Sequence, residues 1–206
     1  MDSDQQVKVL AIRSGMPGDG ERLLAMFDRA VAWLAARGRS AQWGDKPWST
    51  DPVRTERVHR MAADPGFRVA ELDGDPAGAL LLEDHPPAHV PVVAEAELYV
   101  GLLITDRRFA GYGIGSALLE RARAEARERE VELLRVDCWA GGGGDLVRYY
   151  TGQGFTPTVQ FDYHGWIGQV FEQRVRSMTD TPAAGGCVTA NEPLPGSGGP
   201  AEMGAP

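Results

Sequence analysis

The sequence predicts a single α/β (α+β) domain in which a mixed sheet carries helices on both faces. Three observations support this prediction. An apolar, β-prone segment at 98–104 leads into a glycine-rich turn, and a helix-prone segment follows at 116–130. Successive β-prone segments within 67–82 and 155–176 are typical of antiparallel pairs. With 206 residues, of which 43% are hydrophobic, the chain can bury one good core.

The first elements are predicted from periodicity and end signals. Residues 6–13 alternate in the manner of a strand, with Val7, Val9 and Ala11 on one face. The next segment, 21–37, has an apolar stripe at helical spacing, formed by Leu23, Phe27, Val31 and Leu34. Asp51 and Pro52 are typical of an N-cap and the first position of a second helix.

The remaining segments complete a set of seven strands. In chain order we predict strands at 67–73, 77–82, 94–104 and 131–139, a short helix at 145–153, and strands at 155–163 and 168–176. The C-terminal segment is rich in Gly, Pro, Ala and Thr and has no apolar period. We therefore expect one domain over residues 1–177 and a flexible tail over 178–206.

The composition argues against several classes of protein. The net charge of -8, with a pI of about 5.0, argues against a nucleic-acid partner, because phosphate contacts require a basic face. No apolar run approaches the ~20 residues of a membrane helix, and the N-terminus lacks a signal-peptide core. Cys138 and Cys187 have neither a disulfide framework nor a metal-ligand spacing. We expect a cytoplasmic protein without a membrane partner or a metal.

The turn after 98–104 contains three alternate glycines, Gly111, Gly113 and Gly115, at the start of a helix. Glycine lets a ligand approach the main chain, and the first N–H groups of a helix favour anions, most commonly phosphate. A Walker A loop would need a lysine that is absent here. A dinucleotide fingerprint would need Gly or Ala where Ser116 or Leu118 stands. A pyrophosphate site and a plain turn before a packing helix both remain open.

Three blocks of the sequence together resemble the GNAT superfamily of N-acetyltransferases. Leu103-Ile104-Thr105 resembles the end of that family's central strand. The run from Gly111 to Leu119 is similar to its Gly-x-Gly-Ile-Gly-x-x-Leu-Leu loop, and Tyr149 to Phe155 is similar to its closing Leu-Tyr-x-x-x-Gly-Phe. The resemblance covers about residues 7–176. It implies a GNAT-like domain with a mostly antiparallel sheet of about seven strands.

The resemblance also implies acetyl-CoA as co-substrate. Its pyrophosphate would lie on the main-chain amides of 111–116, and its pantetheine would lie along 103–105 like an added strand where the sheet splays apart. The implied binding residues are Leu103, Ile104, Thr105, Ala110, Gly111, Tyr112, Gly113, Ile114, Gly115 and Ser116. Two residues depart from the family: Ala110 replaces a common Arg or Gln, and Gly143 replaces a common Asn.

Acetyl transfer needs a polarised carbonyl, a protonated leaving thiolate and a neutral amine. A main-chain N–H near Ile104 or Thr105 is the expected donor to the carbonyl oxygen. Tyr150 occupies the position of the family's tyrosine and is the expected acid for the thiolate. A core tyrosine with a satisfied hydroxyl is the alternative, and the adjacent Tyr149 is expected to be a packing residue.

Glu97, on the strand before the cofactor segment, is the expected base, although Glu95 has the same facing parity. Asp137 interrupts an apolar strand and is a candidate to bind the acceptor cation or to cap the following loop. Trp43 and Trp48 lie in a loop and are candidates to line the acceptor site. The alternative for both indoles is a satellite core under that loop.

The resemblance therefore implies an acetyl-CoA-dependent N-acetyltransferase. We expect it to move an acetyl group to a primary amine of a small molecule, directly, within a ternary complex. A protein or peptide amine as acceptor is one alternative, and a non-catalytic acyl-CoA-binding sensor is another. The sequence does not identify the acceptor, and it leaves a homodimer open.

Overall fold

A computed structural model describes residues 8–175 of the chain. It contains seven strands and four α-helices, which confirms the predicted fold class. In chain order the elements are β1 (Leu10–Ser14), α1 (Asp19–Ala35), α2 (Pro52–Ala63), β2 (Phe67–Leu72), β3 (Asp75–Glu83), β4 (Glu97–Thr105), α3 (Ile114–Glu128), β5 (Leu133–Trp139), α4 (Asp145–Gly152), β6 (Thr156–Tyr163) and β7 (Trp166–Arg174). The predicted tail, 178–206, lies outside the described residues.

The sheet has the order β1-β2-β3-β4-β5-β7-β6. Every neighbouring pair is antiparallel except β4 and β5, which are parallel. Parallel neighbours need a crossover connection, and here α3 provides it. The sheet therefore consists of two antiparallel parts, β1–β4 and β5–β7, which meet at one parallel pair.

Each face of the sheet has its own core. On one face α3 and α4 pack against the inner strands, with Leu98, Val100, Leu118 and Val136 among the buried side chains. On the other face α1 and α2 cover β2, β3 and the end of β4, where Phe27 and Phe67 are buried. We call the second side the α1/α2 face. The side-chain carboxylate of Asp51 caps α2 by accepting from the Val53 N–H at 2.9 Å, as the sequence indicated.

A bulge in β4 bends this strand near its middle. Leu102 pairs with Leu81 and Val100 pairs with Leu82, so Gly101 is an extra residue between them. A Cβ at Gly101 would lie 1.9 Å from a carboxylate oxygen of Glu83, so a side chain there would displace this carboxylate. A bulge bends a strand and increases its twist. Beyond Gly101 the strand β4 therefore turns away from β5.

No α-helix within residues 8–175 has both the length and the hydrophobicity needed to cross a membrane.

Candidate functional site

The pairing of β4 and β5 ends before either strand does, and we call the gap between their separated ends the slot. The register of the pair begins at Glu97 and Leu133 and ends at Val100 and Val136, although both strands continue. Asp106 donates its N–H to Ala77 of β3, and N–H directions alternate along a strand. The N–H groups of Thr105 and Leu103 therefore point the other way, toward β5. An extended chain with amide groups can add to such an exposed edge as a further strand.

The glycine turn lies at the upper end of this slot, where β4 ends. Gly111 has φ 89° and Gly113 has φ 70°, values that side chains with a Cβ rarely adopt. The helix α3 begins at Ile114, and its first intrahelical bond runs from the Ala117 N–H to the Gly113 carbonyl at 3.0 Å. The N–H groups of residues 114–116 therefore lack helical partners. Together with the helix dipole they form a site for an anion.

Asp106 fixes the start of the turn. This residue is buried, and its carboxylate accepts from the Arg108 N–H at 3.0 Å and from the Arg29 guanidinium at 2.6 Å. Burial alone would raise the pKa of Asp106, but the hydrogen bonds from Arg108 and Arg29 outweigh it and lower the pKa. The turn is thus attached to α1 by an ionised, fully paired carboxylate.

A buried tyrosine hydroxyl lies beside the turn, next to Ser116. The hydroxyl oxygen of Tyr149, on α4, is buried and makes no hydrogen bond of ordinary geometry within residues 8–175. A Cβ on Gly115 would lie only 2.4 Å from this oxygen, and Ser116 is its polar neighbour. Buried polar groups without a partner are rare, and a bound molecule is one way to satisfy them. The slot, the anion site and this hydroxyl suit the pyrophosphate and pantetheine of acetyl-CoA.

Tyr150 lies on the same helix but points into the α3/α4 core. Its ring contacts Phe155 and Phe171, with centroid distances of 5.9 and 5.5 Å, and the residue is 6% exposed. Burial first, and then the neighbouring Cys138, raise the pKa of the Tyr150 phenol well above 10. Cys138 is on β5 just beyond the last pair with β4, so the phenol lies near the slot in its protonated form.

Glu97 and Glu95 are both held by arginine. Glu97 is buried and pairs with Arg135 of β5 at 2.9 Å, at the closed end of the β4–β5 pair. Glu95 is outside β4 and pairs at the surface with Arg174. The charge of the predicted base, Glu97, is thus balanced by Arg135. Glu97 also lies three residues before Val100, the last paired position of β4, and so away from the slot.

Two carboxylates lie closer to the opening of the slot. Asp137 follows Val136, the last paired residue of β5, and accepts a hydrogen bond from the Tyr99 phenol. Glu83, at the end of β3, lies against Gly101. The sequence indicates Asp137 as a candidate, whereas the position of Glu83 emerges only from the fold. An acidic residue at the end of the apolar run 77–82 is the signal that could have found it.

A family model described as the acetyltransferase (GNAT) family matches residues 29–155, which is more than half of the chain. The chain belongs to the GNAT acetyltransferase family. Its matched segment includes the slot, the glycine turn and both tyrosines of α4. This GNAT chain is therefore an acyltransferase with acetyl-CoA as its co-substrate.

Solved structures share the fold of this GNAT chain at low sequence identity. A GNAT-family acetyltransferase from Listeria monocytogenes is 16% identical with a TM-score of 0.61, covering 82% of this chain and 99% of its own. The protein yncA of Salmonella typhimurium, solved with acetyl-CoA, is 19% identical with a TM-score of 0.54, and the match covers 85% of this chain and 98% of yncA. N-acetylglutamate synthase from Neisseria gonorrhoeae, complexed with coenzyme A and N-acetyl-glutamate, is 15% identical with a TM-score of 0.56. The match covers 82% of this chain and 35% of the synthase. No curated protein sequence matched this GNAT chain.

The two loop tryptophans of this GNAT chain belong to the core beneath α1. Trp48 is stacked on Phe27 with 4.1 Å between ring centroids, and its indole N–H donates to the Trp43 carbonyl at 3.2 Å. Trp43 packs on the same Phe27 ring at 5.3 Å. A cavity of about 310 Å³ lies beside this loop, but its lining includes neither tryptophan nor Asp137. The structure thus shows the satellite core that the sequence left as an alternative, and it does not bring the indoles together with Asp137.

Proposed function

We propose that this protein is an acetyl-CoA-dependent N-acetyltransferase that transfers the acetyl group directly to a primary amine of a small molecule. The observation that carries this proposal is the slot between β4 and β5. It opens beyond Val100 and Val136, with the anion site of residues 114–116 at its upper end. We expect a cytoplasmic enzyme, as the sequence indicates.

The donor half of the site follows from main-chain groups. The N–H groups of residues 114–116 bind the pyrophosphate, and the free edge of residues 103–105 binds the amides of the pantetheine. We expect the Thr105 or Leu103 N–H to donate to an acyl oxygen. Ala110 offers no side-chain contact to phosphate, so these main-chain groups carry the binding.

Direct transfer is favoured by the absence of an activated nucleophile near the slot within residues 8–175. Cys138 is the one cysteine within residues 8–175, and burial raises the pKa of its thiol to about 12. At neutral pH this thiol is protonated and is a poor nucleophile. An acyl-enzyme on Cys138 is therefore disfavoured, and both substrates bind before chemistry.

Tyr150 is the proposed acid for the leaving sulfur. When the amine attacks, the N–C bond forms, the C–S bond breaks and the sulfur takes a proton from the Tyr150 hydroxyl. Burial keeps this phenol protonated at neutral pH. The phenolate then regains a proton from the amine nitrogen or from solvent.

The test is release of free thiol from acetyl-CoA with and without an added amine. Amine-dependent release, together with an acetylated product of the expected mass, supports the enzyme. Binding of acetyl-CoA by calorimetry without release, across a panel of small amines and short peptides, would show a sensor instead. Acetylation of peptides alone would show a protein or peptide acceptor. An acetylated protein isolated by rapid quench would exclude direct transfer.

A further inference from the structure

The slot opens on the α1/α2 face between two carboxylates. Glu83 on β3 lies against the bulge residue Gly101, and Asp137 on β5 is the first residue after the last β4–β5 pair. In the parallel register Gly101 would be the next partner of Asp137. Both carboxylates therefore flank the place where the acyl group must lie if the pantetheine occupies the slot.

Asp137 is held in place by a neighbour on β4. The buried Tyr99 phenol donates to one of its carboxylate oxygens, and His89 of the β3–β4 loop is close enough to act on it electrostatically. Cys138 and Tyr150 approach it from the α3/α4 side. Burial raises the pKa of Asp137 above its ordinary value, and the Tyr99 hydrogen bond and His89 only partly offset this. A cation bound beside such a carboxylate favours its ionised form.

Glu83 has a similar environment. Burial raises its pKa, the nearby Asp64, which follows the end of α2, raises it further, and Arg57 lowers it. Arg57 and Asp64 offset each other in formal charge. Arg135, the cation nearest to Asp137 on β5, is already bound by two carboxylates, Glu97 at 2.9 Å and Glu172 at 3.4 Å. The groups around the opening of the slot thus carry a net negative charge.

The strands beside Asp137 present aromatic rings on the same face. Val170 and Gly168 of β7 pair with Asp137 and Trp139, and Phe161 of β6 pairs with Gly168. A Cβ on Gly168 would lie 2.3 Å from the Phe161 ring, so this glycine lets the ring lie across β7. The imidazole of His89 stacks on Tyr163 at 4.4 Å and contacts Phe161 at 5.4 Å. We call His89, Phe161, Tyr163 and Trp166 the aromatic surface, and the buried Tyr99 lies beneath it.

We propose that the acceptor is a primary amine with a ring-containing apolar body and no carboxylate, whose ammonium group binds between Glu83 and Asp137. This inference rests on the proposed N-acetyltransferase function and names its substrate class. The aromatic surface accommodates the body of the amine, and the two carboxylates bind its positive charge. A carboxylate on the same molecule is disfavoured, because Glu83, Asp137 and Asp64 outnumber Arg57, the cation that lies near Glu83.

The proton balance fits this arrangement. Asp137 takes one proton from the bound ammonium, and the neutral nitrogen then attacks the acyl carbon. A second proton leaves the nitrogen as the N–C bond forms and replaces the one that Tyr150 gives to the sulfur. The net products are the acetamide, the free thiol and one proton released to solvent from Asp137.

Three amines test the substrate class: phenethylamine, phenylalanine and butylamine. Phenylalanine adds only a carboxylate to phenethylamine, and butylamine removes the ring. We expect kcat/KM for phenethylamine to exceed that for each of the others by about tenfold or more. Equal values for phenethylamine and phenylalanine, or a preference for phenylalanine, would overturn the inference while leaving the enzyme function intact. Thiol release with none of the three, but with other amines or peptides, would do the same. If no amine or peptide supports release, the proposed function fails and this inference fails with it.

One double variant, Glu83→Gln with Asp137→Asn, tests the two carboxylates by removing both charges. The ratio of kcat/KM for phenethylamine to that for phenylalanine should fall toward unity, and the KM for phenethylamine should rise at least about tenfold. The Kd for acetyl-CoA, measured by calorimetry, should stay near its wild-type value. Asp84→Asn is the matched control, because Asp84 is exposed and contacts Arg129 at the surface. Unchanged discrimination in the double variant, with folding and acetyl-CoA binding intact, would overturn the inference.

Discussion

Glu97 and Arg135 form a buried ion pair, with 2.9 Å between a carboxylate oxygen and a guanidinium nitrogen, across the closed end of β4 and β5. Arg135 is 1% exposed and also donates to the Pro91 carbonyl at 3.0 Å. A buried charge whose partner is removed is costly, because neither water nor another group can replace that partner fully. The pair therefore joins the two parts of the sheet and ties them to the β3–β4 loop.

Removing the charge of Glu97 tests its role directly. Glu97→Gln should lower the free energy of unfolding by about 3 kcal/mol, since Arg135 then keeps only the neutral Pro91 carbonyl and its longer contact with Glu172. Chemical denaturation measures this loss. The single-turnover rate, measured where the variant is folded, should fall less than about tenfold, well short of the loss of a general base. A much larger loss of rate, without a loss of stability, would restore Glu97 as the base.

The glycine turn should tolerate no side chain at its centre. Gly113→Val places a β-branched residue at φ 70° and covers the N–H groups at the start of α3, so acetyl-CoA binding should weaken by about 3 kcal/mol or more. Isothermal titration with acetyl-CoA measures the change. Gly152→Ala is the control, because a Cβ there meets nothing within 4 Å and the residue is helical. Equal affinity in the two variants would contradict the anion site.

Tyr149→Phe should have opposite effects on the free and bound protein. Without ligand, the change removes a buried hydroxyl that makes no hydrogen bond of ordinary geometry to residues 8–175, so the free energy of unfolding should rise or stay the same. With ligand, a hydrogen bond is lost, and the Kd for acetyl-CoA should increase by about fivefold. Thermal melts with and without coenzyme A give both values. A lower melting temperature of the free protein, with an unchanged Kd, would make Tyr149 a structural residue only.

Tyr150→Phe should slow chemistry without weakening binding. The ring contacts with Phe155 and Phe171 survive, so the Kd for acetyl-CoA should barely change. Loss of a general acid reduces the rate by about 10²- to 10⁴-fold. Single-turnover kinetics at saturating acetyl-CoA are needed, because product release can limit kcat. A wild-type single-turnover rate would remove Tyr150 from the mechanism.

Acid should destabilise the fold through three buried carboxylates, Asp19, Asp106 and Glu125. Burial opposes their ionisation, but hydrogen bonds from arginines outweigh it, and the pKa of each is lowered. A carboxyl whose pKa is lower in the folded state contributes stability above its unfolded pKa of about 4. That contribution is lost as the pH falls through the folded pKa. The denaturant concentration at the unfolding midpoint, measured from pH 7 downward, should therefore decrease once the pH falls below about 4. Glu125→Gln should make this decrease smaller.

Local sequence signals predicted the elements and the donor half of the site. Strand alternation, the cap at Asp51 and the alternate glycines are short-range patterns, and the structure confirms the elements that they indicate. The helix α3 begins at Ile114, two residues earlier than predicted, because the αL conformation of Gly113 already permits a helical turn there.

Local sequence patterns do not predict contacts between residues that are distant in the chain. Facing parity could place Glu97 on one side of β4, but its partner Arg135 is 38 residues away. The contact between the Glu83 side chain and Gly101 depends on a register shift between β3 and β4 that no local pattern encodes. Likewise, only packing on Phe27 decides that Trp43 and Trp48 belong to a core.

The parallel pair of β4 and β5 has a consequence for how the chain folds. The strands β1 to β4 and β5 to β7 are each joined by antiparallel neighbours, whereas the pair between them is parallel and four residue pairs long. Parallel strands can pair only after the crossover segment between them has brought them together, so non-local contacts of this kind form slowly. We expect the two antiparallel parts to assemble first and to be joined last. The place where catalysis is proposed is then the last part of the molecule to be completed.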